Sequence, residues 1–231
     1  MDHSITDTRF VVSAEHGEVS ARIIQPARAK WLYVMGHGAS STMLHPNLEA
    51  IATSLADAGV ASFRYNFPYS EAGRGRNSNA VCIQTVRAAV AAAHRHAGKL
   101  KIVAGGHSFS GRMTSMAAAE QPIEHVRGLV FLAFPLHLAG APAIERSAHL
   151  HQVNVPMLFL SGTRDALADA NLLKPVCAKL GEQATLHWLD TADHSFKVQK
   201  RTRSSTEDVF TEIARVIGDW TANLSSHRKS K

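Results

Sequence analysis

One ten-residue segment constrains the fold of this chain more than any other, because a strand pattern runs directly into a helix pattern. Residues 103–112 read VAGGHSFSGR, with almost no loop between the apolar run and the helical period that follows. A serine in such a turn has a strained backbone that lifts its hydroxyl out of the sheet. Its neighbours must be small, since strand and helix pass close together. The segment therefore predicts an exposed serine hydroxyl at the end of a buried strand.

Two serines occur in this turn, and the requirement for small neighbours favours the first. Gly106 stands two positions before Ser108, and Ser110 stands two positions after it, where glycine is usual. For Ser110 the corresponding later position is the bulky Arg112. Ser108 is therefore the predicted nucleophile, and a serine in a tight turn without a catalytic role is the alternative. A phosphate-binding loop fits less well, since arginine and methionine follow Gly111 where lysine and serine or threonine are required.

A catalytic serine requires a histidine base and a carboxylate that orients the base, and both follow such a turn on loops after later strands. Asp165 comes directly after an apolar strand pattern, and His194 follows the last one. The carboxyl ends of parallel strands, where ligands bind in open α/β sheets, would hold all three residues. Asp169 is the serious rival to Asp165. Asp190 and Asp193 precede the histidine in its own loop and are predicted to form turns.

Acyl transfer also requires backbone N–H groups that stabilise an oxyanion. In this arrangement one belongs to the residue after the nucleophile, Phe109, and the other to the loop after the third strand, at Ala39. Residues 36–40, with the sequence GHGAS, also fit a tight turn, and both interpretations hold together. A dinucleotide-binding loop is less well matched, because the third glycine is missing and no acid ends the next strand.

The rest of the chain alternates between short strand patterns and longer helical ones, which predicts a mostly parallel sheet within one domain of residues 1–231. Strands are predicted at residues 8–14, 19–24, 31–35, 60–65, 100–105, 126–134, 155–160 and 185–189. Helices are predicted at residues 47–58, 79–96, 109–120, 170–179 and from a capping-box pattern at 204–207 onward. The first two strands form a hairpin, and helical crossovers join the other six. Residues 66–77 are expected to be irregular, and residues 135–154 to hold one short helix.

Charge and composition exclude several function classes. The formal net charge is +6, but much of the excess lies in residues 197–203 and 228–231, without the aromatic residues that accompany a nucleic-acid surface. Fourteen histidines occur without a His-Glu-x-x-His or Cys-x-x-Cys motif, so no metal and no cofactor are expected. Cys82 and Cys177 both fall in helical patterns, which predicts small core residues rather than a disulfide.

No apolar run approaches the roughly 18 residues of a membrane span. The first residues carry two acids and no apolar core of a signal peptide, so a cytoplasmic protein is expected.

With these motifs in order, the sequence resembles the α/β-hydrolase superfamily, and more narrowly its small dienelactone-hydrolase-like branch. The resemblance spans nearly the whole chain and rests on GHGA at 36–39, FRYNFPYSEAGR at 63–74, GGHSFSGR at 105–112, GTRD at 162–165 and DHSF at 193–196. It implies an α/β fold, with a mostly parallel eight-stranded sheet and helices on both faces, and a triad of Ser108, Asp165 and His194. Larger members insert a cap where this chain has residues 135–154, and twenty residues are too few for a cap domain.

True dienelactone hydrolases have a cysteine nucleophile, so Ser108 departs from them and lactone specificity is not carried over. The leading hypothesis is a cofactor-free esterase or related acyl hydrolase that acts on a small-molecule substrate through an acyl-enzyme. The alternative is a non-catalytic interaction module that keeps the fold, as in a subunit of an animal chromatin-modifying complex of the same branch. Ser110 in the turn is the feature that favours this alternative.

Overall fold

The framework of the protein is one eight-stranded sheet. The structure is a computed structural model that describes residues 3–226. Its strands are β1 His3–Ser13, β2 Gly17–Pro26, β3 Trp31–Gly36, β4 Ala61–Tyr65, β5 Lys101–His107, β6 Val126–Leu132, β7 Met157–Gly162 and β8 Ala184–Leu189. Their order across the sheet is β1-β2-β4-β3-β5-β6-β7-β8. β1 and β2 form an antiparallel hairpin and β2 pairs antiparallel with β4, while β3 to β8 are mutually parallel. The predicted mostly parallel sheet is confirmed.

Helices cover both faces of this sheet. They are α1 Pro46–Asp57, α2 Pro68–Glu71, α3 Asn79–Ala97, α4 Phe109–Glu120, α5 Ala170–Leu180 and α6 Val209–Ser226. Side chains alternate between the two faces along each strand, so each strand contributes to two cores. Leu32 and Val34 of β3 belong to the core that includes residues of α3, α4 and α5, whereas Tyr33 and Met35 belong to the core that includes residues of α1 and α6. Every residue of β3 is buried, as expected for a central parallel strand.

The two cysteines agree with their prediction, since Cys82 and Cys177 are free thiols buried in the helices α3 and α5. Gly59 ends α1 with a positive φ of 77°, and the N–H of Val60 donates to the carbonyl of Leu55 at 2.8 Å. This is the six-residue hydrogen bond of a glycine-terminated helix.

The start of the last helix differs from its prediction. The capping-box pattern at 204–207 does not begin α6, which starts at Val209 because the carboxylate of Asp208 accepts the N–H of Phe210 at 2.9 Å. Glu207, the predicted box residue, instead pairs with the guanidinium of Arg215 at 2.9 Å. Asp208, which directly precedes the first residue of α6, therefore caps this helix in place of the predicted capping box.

The segment at residues 66–77 also differs, because it contains the single turn α2. Pro68 occupies the first position of that turn, where its fixed φ suits a helix and its missing N–H costs nothing. The connection at 135–154 contains two one-turn 3-10 helices, Glu145–Ser147 and Leu150–Gln152, rather than one short helix. No cap domain is present within residues 3–226. The basic run predicted at 228–231 lies outside the described residues.

Candidate active site

The turn between β5 and α4 has the strained geometry that its sequence predicts. Ser108 has φ 52° and ψ −110°, a left-handed conformation that L-residues other than glycine rarely adopt. Its N–H donates to the carbonyl of Leu132 in the neighbouring strand at 2.8 Å. This hydrogen bond holds the strained residue at the carboxyl edge of the sheet.

The turn is also closely packed against β3. A Cβ atom on Gly106 would lie 2.4 Å from the carbonyl oxygen of Gly36 and 2.4 Å from the Oγ of Ser110. A Cβ atom on Gly36 would lie 2.6 Å from the Cβ of Ser110. Ser110 therefore fits where glycine is usual, because Gly36 in the facing strand leaves the space for its side chain. Ser110 is fully buried, and its hydroxyl donates to the carbonyl of His107 at 3.0 Å.

The structure brings together the three residues that the sequence singles out. The Nε2 of His194 lies 2.8 Å from the Oγ of Ser108, and its Nδ1 lies 2.9 Å from both carboxylate oxygens of Asp165. A carboxylate only accepts hydrogen bonds, so Nδ1 is assigned the proton and Nε2 is left to accept the serine O–H. The arrangement is a continuous hydrogen-bonded chain from a carboxylate to a hydroxyl.

Asp165 is held in its role by the loop after β7. Its carboxylate is fully buried and accepts the N–H of Leu167 at 2.8 Å. The rival Asp169 instead caps α5, where its side chain accepts the N–H of Asn171 at 2.8 Å. Asp193 accepts the backbone N–H groups two and four residues ahead, as predicted for a turn residue.

The two predicted oxyanion donors lie on the loops that border Ser108. Phe109 is the first residue of α4, and Ala39 follows β3. Among the hydrogen bonds of residues 3–226, none uses the backbone N–H of either residue. His37 fixes the loop before Ala39, because its Nδ1 donates to the carbonyl of Gly38 at 2.7 Å and its Nε2 accepts the N–H of Phe67 at 3.3 Å.

A third histidine supports the site, through contacts that the sequence did not reveal. His107 precedes Ser108, and its Nε2 donates to the backbone carbonyl of His194 at 3.0 Å. Its ring also lies against the rings of His194 and Phe196, each with a centroid separation of 5.4 Å. The position of His107 beside Ser108 is evident from the sequence, but its partner is not, because the hydrogen bond joins positions 87 residues apart.

Burial keeps two of these histidines neutral. It lowers the pKa of His37 to about 4, although the carbonyl of Gly38 favours the protonated ring. It likewise lowers the pKa of His107 to about 4, against the opposing effect of the carbonyl of His194. Both rings therefore act as neutral hydrogen-bonding supports near pH 7.

No group of three or more His, Cys, Asp or Glu side chains within residues 3–226 is placed to hold a metal ion. None of the helices in the same described part of the chain combines the length and apolar character needed to cross a bilayer.

Comparison with known families identifies the family of the domain. Residues 29–222 match the family model described as an alpha/beta hydrolase domain. The chain therefore belongs to the α/β-hydrolase domain family, as its sequence motifs predicted.

Solved structures with this fold extend over almost the whole chain. A dienelactone hydrolase from Anabaena variabilis is 18% identical, with a TM-score of 0.73, over 96% of this chain and 99% of that one. A serine hydrolase without a lid from Xanthomonas campestris is 17% identical, with a TM-score of 0.72, over 96% of each chain. Est1E from Butyrivibrio proteoclasticus, solved with ferulic acid, is 15% identical, with a TM-score of 0.69, over 90% of this chain and 96% of that one. At these identities the likeness shows the fold alone.

The close packing at Gly36 generates a first prediction. We expect Gly36→Ala to destabilise the protein by about 1–3 kcal/mol, because the new methyl group would overlap the side chain of Ser110 and the hydroxyl of Tyr65, 2.9 Å away. Adding Ser110→Gly should recover part of that loss. Urea unfolding of the two single variants and the double variant measures the coupling. Gly75→Ala, which meets no atom within 4 Å, is the matched control. Strictly additive effects would contradict this account of the packing.

The buried histidines generate a prediction about acid stability. A folded-state pKa near 4 against 6.5 in the unfolded chain means that only the unfolded state takes up the proton between these values. Stability is therefore greatest above pH 6.5 and falls as the pH drops toward 4, by about 2–3 kcal/mol per histidine at pH 4.5. We expect the difference in unfolding free energy between pH 7.5 and 4.5 to shrink in His37→Gln, whatever that variant's stability at pH 7.5. The exposed His151 supplies the control variant His151→Gln, and an unchanged difference in His37→Gln would refute the interpretation.

Proposed function

We propose that this protein is a serine hydrolase that cleaves small carboxylic esters through an acyl-enzyme. The observation that carries the proposal is the hydrogen-bonded chain from Asp165 through His194 to Ser108. In the proposed reaction the Oγ of Ser108 attacks the ester carbonyl carbon, while the Nε2 of His194 takes the hydroxyl proton. Asp165 keeps the proton on Nδ1 of His194 and stabilises the imidazolium that forms.

The tetrahedral intermediate places a negative charge on the former carbonyl oxygen. The N–H groups of Ala39 and Phe109 are the proposed donors to that oxygen. The intermediate collapses when His194 returns its proton to the leaving alcohol, which leaves an ester on Ser108. A water molecule, deprotonated by the same imidazole, then releases the acid and restores the serine.

A scaffold without activity would not need this set of contacts. The one feature that favoured it was a serine two positions after the nucleophile, and that serine is buried in the space beside Gly36. Ser110 therefore leaves the hydroxyl of Ser108 free to meet His194. The burial of Ser110 also supports Ser108 as the nucleophile.

The shape of the site supports a small substrate. A cavity of about 590 Å³ is lined by Ala39, a proposed oxyanion donor, by residues 40–42, and by residues 69–70 and 73–76 of the segment that follows β4. The connection at 135–154 adds only two helical turns. An open cleft of this kind contacts a short acyl group and leaves a long one in solvent.

The identity of the nucleophile is tested by two serine variants. Ser108→Ala should lower kcat/KM for 4-nitrophenyl butyrate by at least about 1,000-fold, leaving the residual rate that the oxyanion donors support. Ser110→Ala, which removes a buried hydroxyl that faces a carbonyl, should keep most of the activity. A fluorophosphonate probe followed by intact-mass analysis should label the wild type and Ser110→Ala once, and Ser108→Ala not at all. The reverse labelling pattern would transfer the nucleophile to Ser110, and an unlabelled wild type would favour the scaffold.

The absence of a cap within residues 3–226 generates a prediction about acyl length. Because the cleft covers only a short chain, transition-state binding should stop increasing beyond a few carbons. We expect kcat/KM to be greatest for the acetyl or butyryl 4-nitrophenyl ester, lower for octanoyl and lowest for palmitoyl. No increase should occur when the substrate forms an oil–water interface. A maximum at palmitoyl would show that this interpretation of the cleft is wrong.

A further inference from the structure

One face of α4 links the candidate nucleophile to both borders of the cleft. Phe109, Arg112 and Ser115 are spaced three residues apart, so they lie on the same face of the helix. The guanidinium of Arg76 lies 5.0 Å from the ring centroid of Phe109, and the Oγ of Ser115 lies 2.7 Å from the Nε2 of His149. Arg112 therefore lies between the loop after β4 and the connection after β6, one helical turn from Ser108.

A second arginine reaches this position from the connection. Arg146 donates from its Nη1 to the carbonyl of His137 at 3.1 Å, and its charge acts on Arg112. Burial, together with the like charges of Arg146 and Arg76, lowers the pKa of Arg112. A guanidinium nevertheless stays protonated in proteins. Arg112 is thus one helical turn from the candidate nucleophile, and the charges of Arg76 and Arg146 act on it from the two flanking segments.

These charges have no acidic partner. No ion pair among residues 3–226 includes Arg76, Arg112 or Arg146, and the Nε of Arg112 is buried without a hydrogen-bond partner. Arg64 and Arg203 also have a buried Nε without a partner in this part of the chain, but each has a carboxylate beside it, since Arg64 binds Glu49 at 2.7 Å and Arg203 binds Glu212. Arg76 is exposed, whereas Arg112 and Arg146 are half-buried, and half-buried cations are costly unless they are paired. The missing counter-charge points to an anionic ligand.

A buried hydroxyl that shares a cavity with Arg76 also indicates an anionic ligand. Tyr69 is 5% exposed, and its Oη has no hydrogen-bond partner among residues 3–226. The ring of Tyr69 packs against Phe109 and lines the same cavity as Arg76. Burial raises the pKa of Tyr69, so the hydroxyl keeps its proton and can donate a hydrogen bond to an anionic ligand. A dianionic phosphate group, with three acceptor oxygens, matches three cations and one donor better than a single carboxylate charge does.

We propose that Arg76, Arg112 and Arg146 form a subsite that binds a phosphate group on the ester substrate. The inference rests on the proposed hydrolase function for its substrate, although the subsite itself is defined by binding. Its place one turn along α4, about 6 Å of helix rise from Ser108, is within the reach of an arginine side chain. The substrate class is therefore a small ester that carries a phosphate a few atoms from the scissile carbonyl.

Binding of inorganic phosphate tests the subsite without any turnover. In ³¹P NMR titrations at pH 7.5 and low salt, the wild type should bind phosphate, and Arg112→Gln and Arg146→Gln should each weaken binding by about 10-fold or more. Arg112→Lys keeps the charge but loses the planar fork, so its affinity for phosphate should lie between those of the wild type and Arg112→Gln. Arg127→Gln changes the net charge equally at an exposed position at the start of β6 and should bind like the wild type. Thermal melts verify that each variant is folded.

Ester hydrolysis then tests the substrate role. We expect the wild type to prefer 4-nitrophenyl 4-phosphonobutanoate over the nearly isosteric, uncharged 5,5-dimethylhexanoate, with the hemiglutarate ester between them. Arg112→Gln should remove the preference for the phosphonate, whereas the control Arg127→Gln should keep both that preference and the wild-type kcat/KM for the uncharged ester. The preference should also decrease with added salt. To cover a phosphate on the alcohol side, 4-phosphonophenyl acetate is compared with 4-isopropylphenyl acetate in the same variants.

The possible outcomes separate the two proposals. No binding of phosphate by the wild type, or equal binding by all variants, overturns the subsite. Binding that depends on Arg112 without any charge preference among hydrolysed esters overturns its role in substrate recognition. Equal preference for the phosphonate and the hemiglutarate overturns the assignment to a dianion. If no ester is hydrolysed while phosphate binding still depends on Arg112, the hydrolase proposal fails and the subsite stands.

Discussion

The close approach of α4 to the carboxyl edge of β3 and β5 is the constraint on which the rest of the site depends. It places Ser108 at φ 52°, which costs backbone energy that the surrounding contacts must offset. The offset comes from the hydrogen bond to Leu132 and from tight packing around Gly106. With the turn in place, the hydroxyl of Ser108 lies 2.8 Å from the Nε2 of His194, and Phe109 begins α4 directly after it. Loosening this packing would disturb the candidate nucleophile and the candidate oxyanion donor Phe109 together.

The histidines of the site divide according to their surroundings. His194 retains partial exposure, with its side chain 20% accessible, and has both ring nitrogens engaged in the hydrogen-bonded chain. His37 is buried and His107 is half-buried, and both are hydrogen-bonded to backbone carbonyls, which suits neutral rings that hold loops in place. The same residue type thus supplies a candidate base at one position and two uncharged supports at others. Solvent access and hydrogen-bond partners make the difference.

The buried and partly buried arginines among the described residues also fall into two groups, those beside a carboxylate and those without one. Arg64 and Arg203 are buried beside carboxylates and stabilise the packing of loops and helices around the sheet. Arg112 is partly buried without a carboxylate partner among residues 3–226, on α4, the helix that directly follows Ser108. This contrast within a single chain is the reason for associating the unpaired arginines with a ligand. In the proposed reaction, their location would place a bound phosphate group a few atoms from the ester carbonyl.

Local patterns in the sequence determined most of the framework. Alternating strand and helix periods defined the parallel sheet, and the small residues around Ser108 defined the turn into α4. Chain order after that turn selected Asp165 and His194, because the carboxyl ends of parallel strands lie on one edge. Such features depend on the local conformational preferences of residues and on the spacing of motifs along the chain, which can be inferred directly from a sequence.

Contacts between distant segments were decided only by the tertiary structure. The hydrogen bond from His107 to His194, the fit of Ser110 against Gly36 and the approach of Arg146 and Arg76 to Arg112 each join separate elements. The start of α6 likewise depended on which acid, Asp208 or Glu207, met the helix N–H groups. Spacing along the chain does not specify such pairings, since they are selected by packing and burial once the sheet has formed.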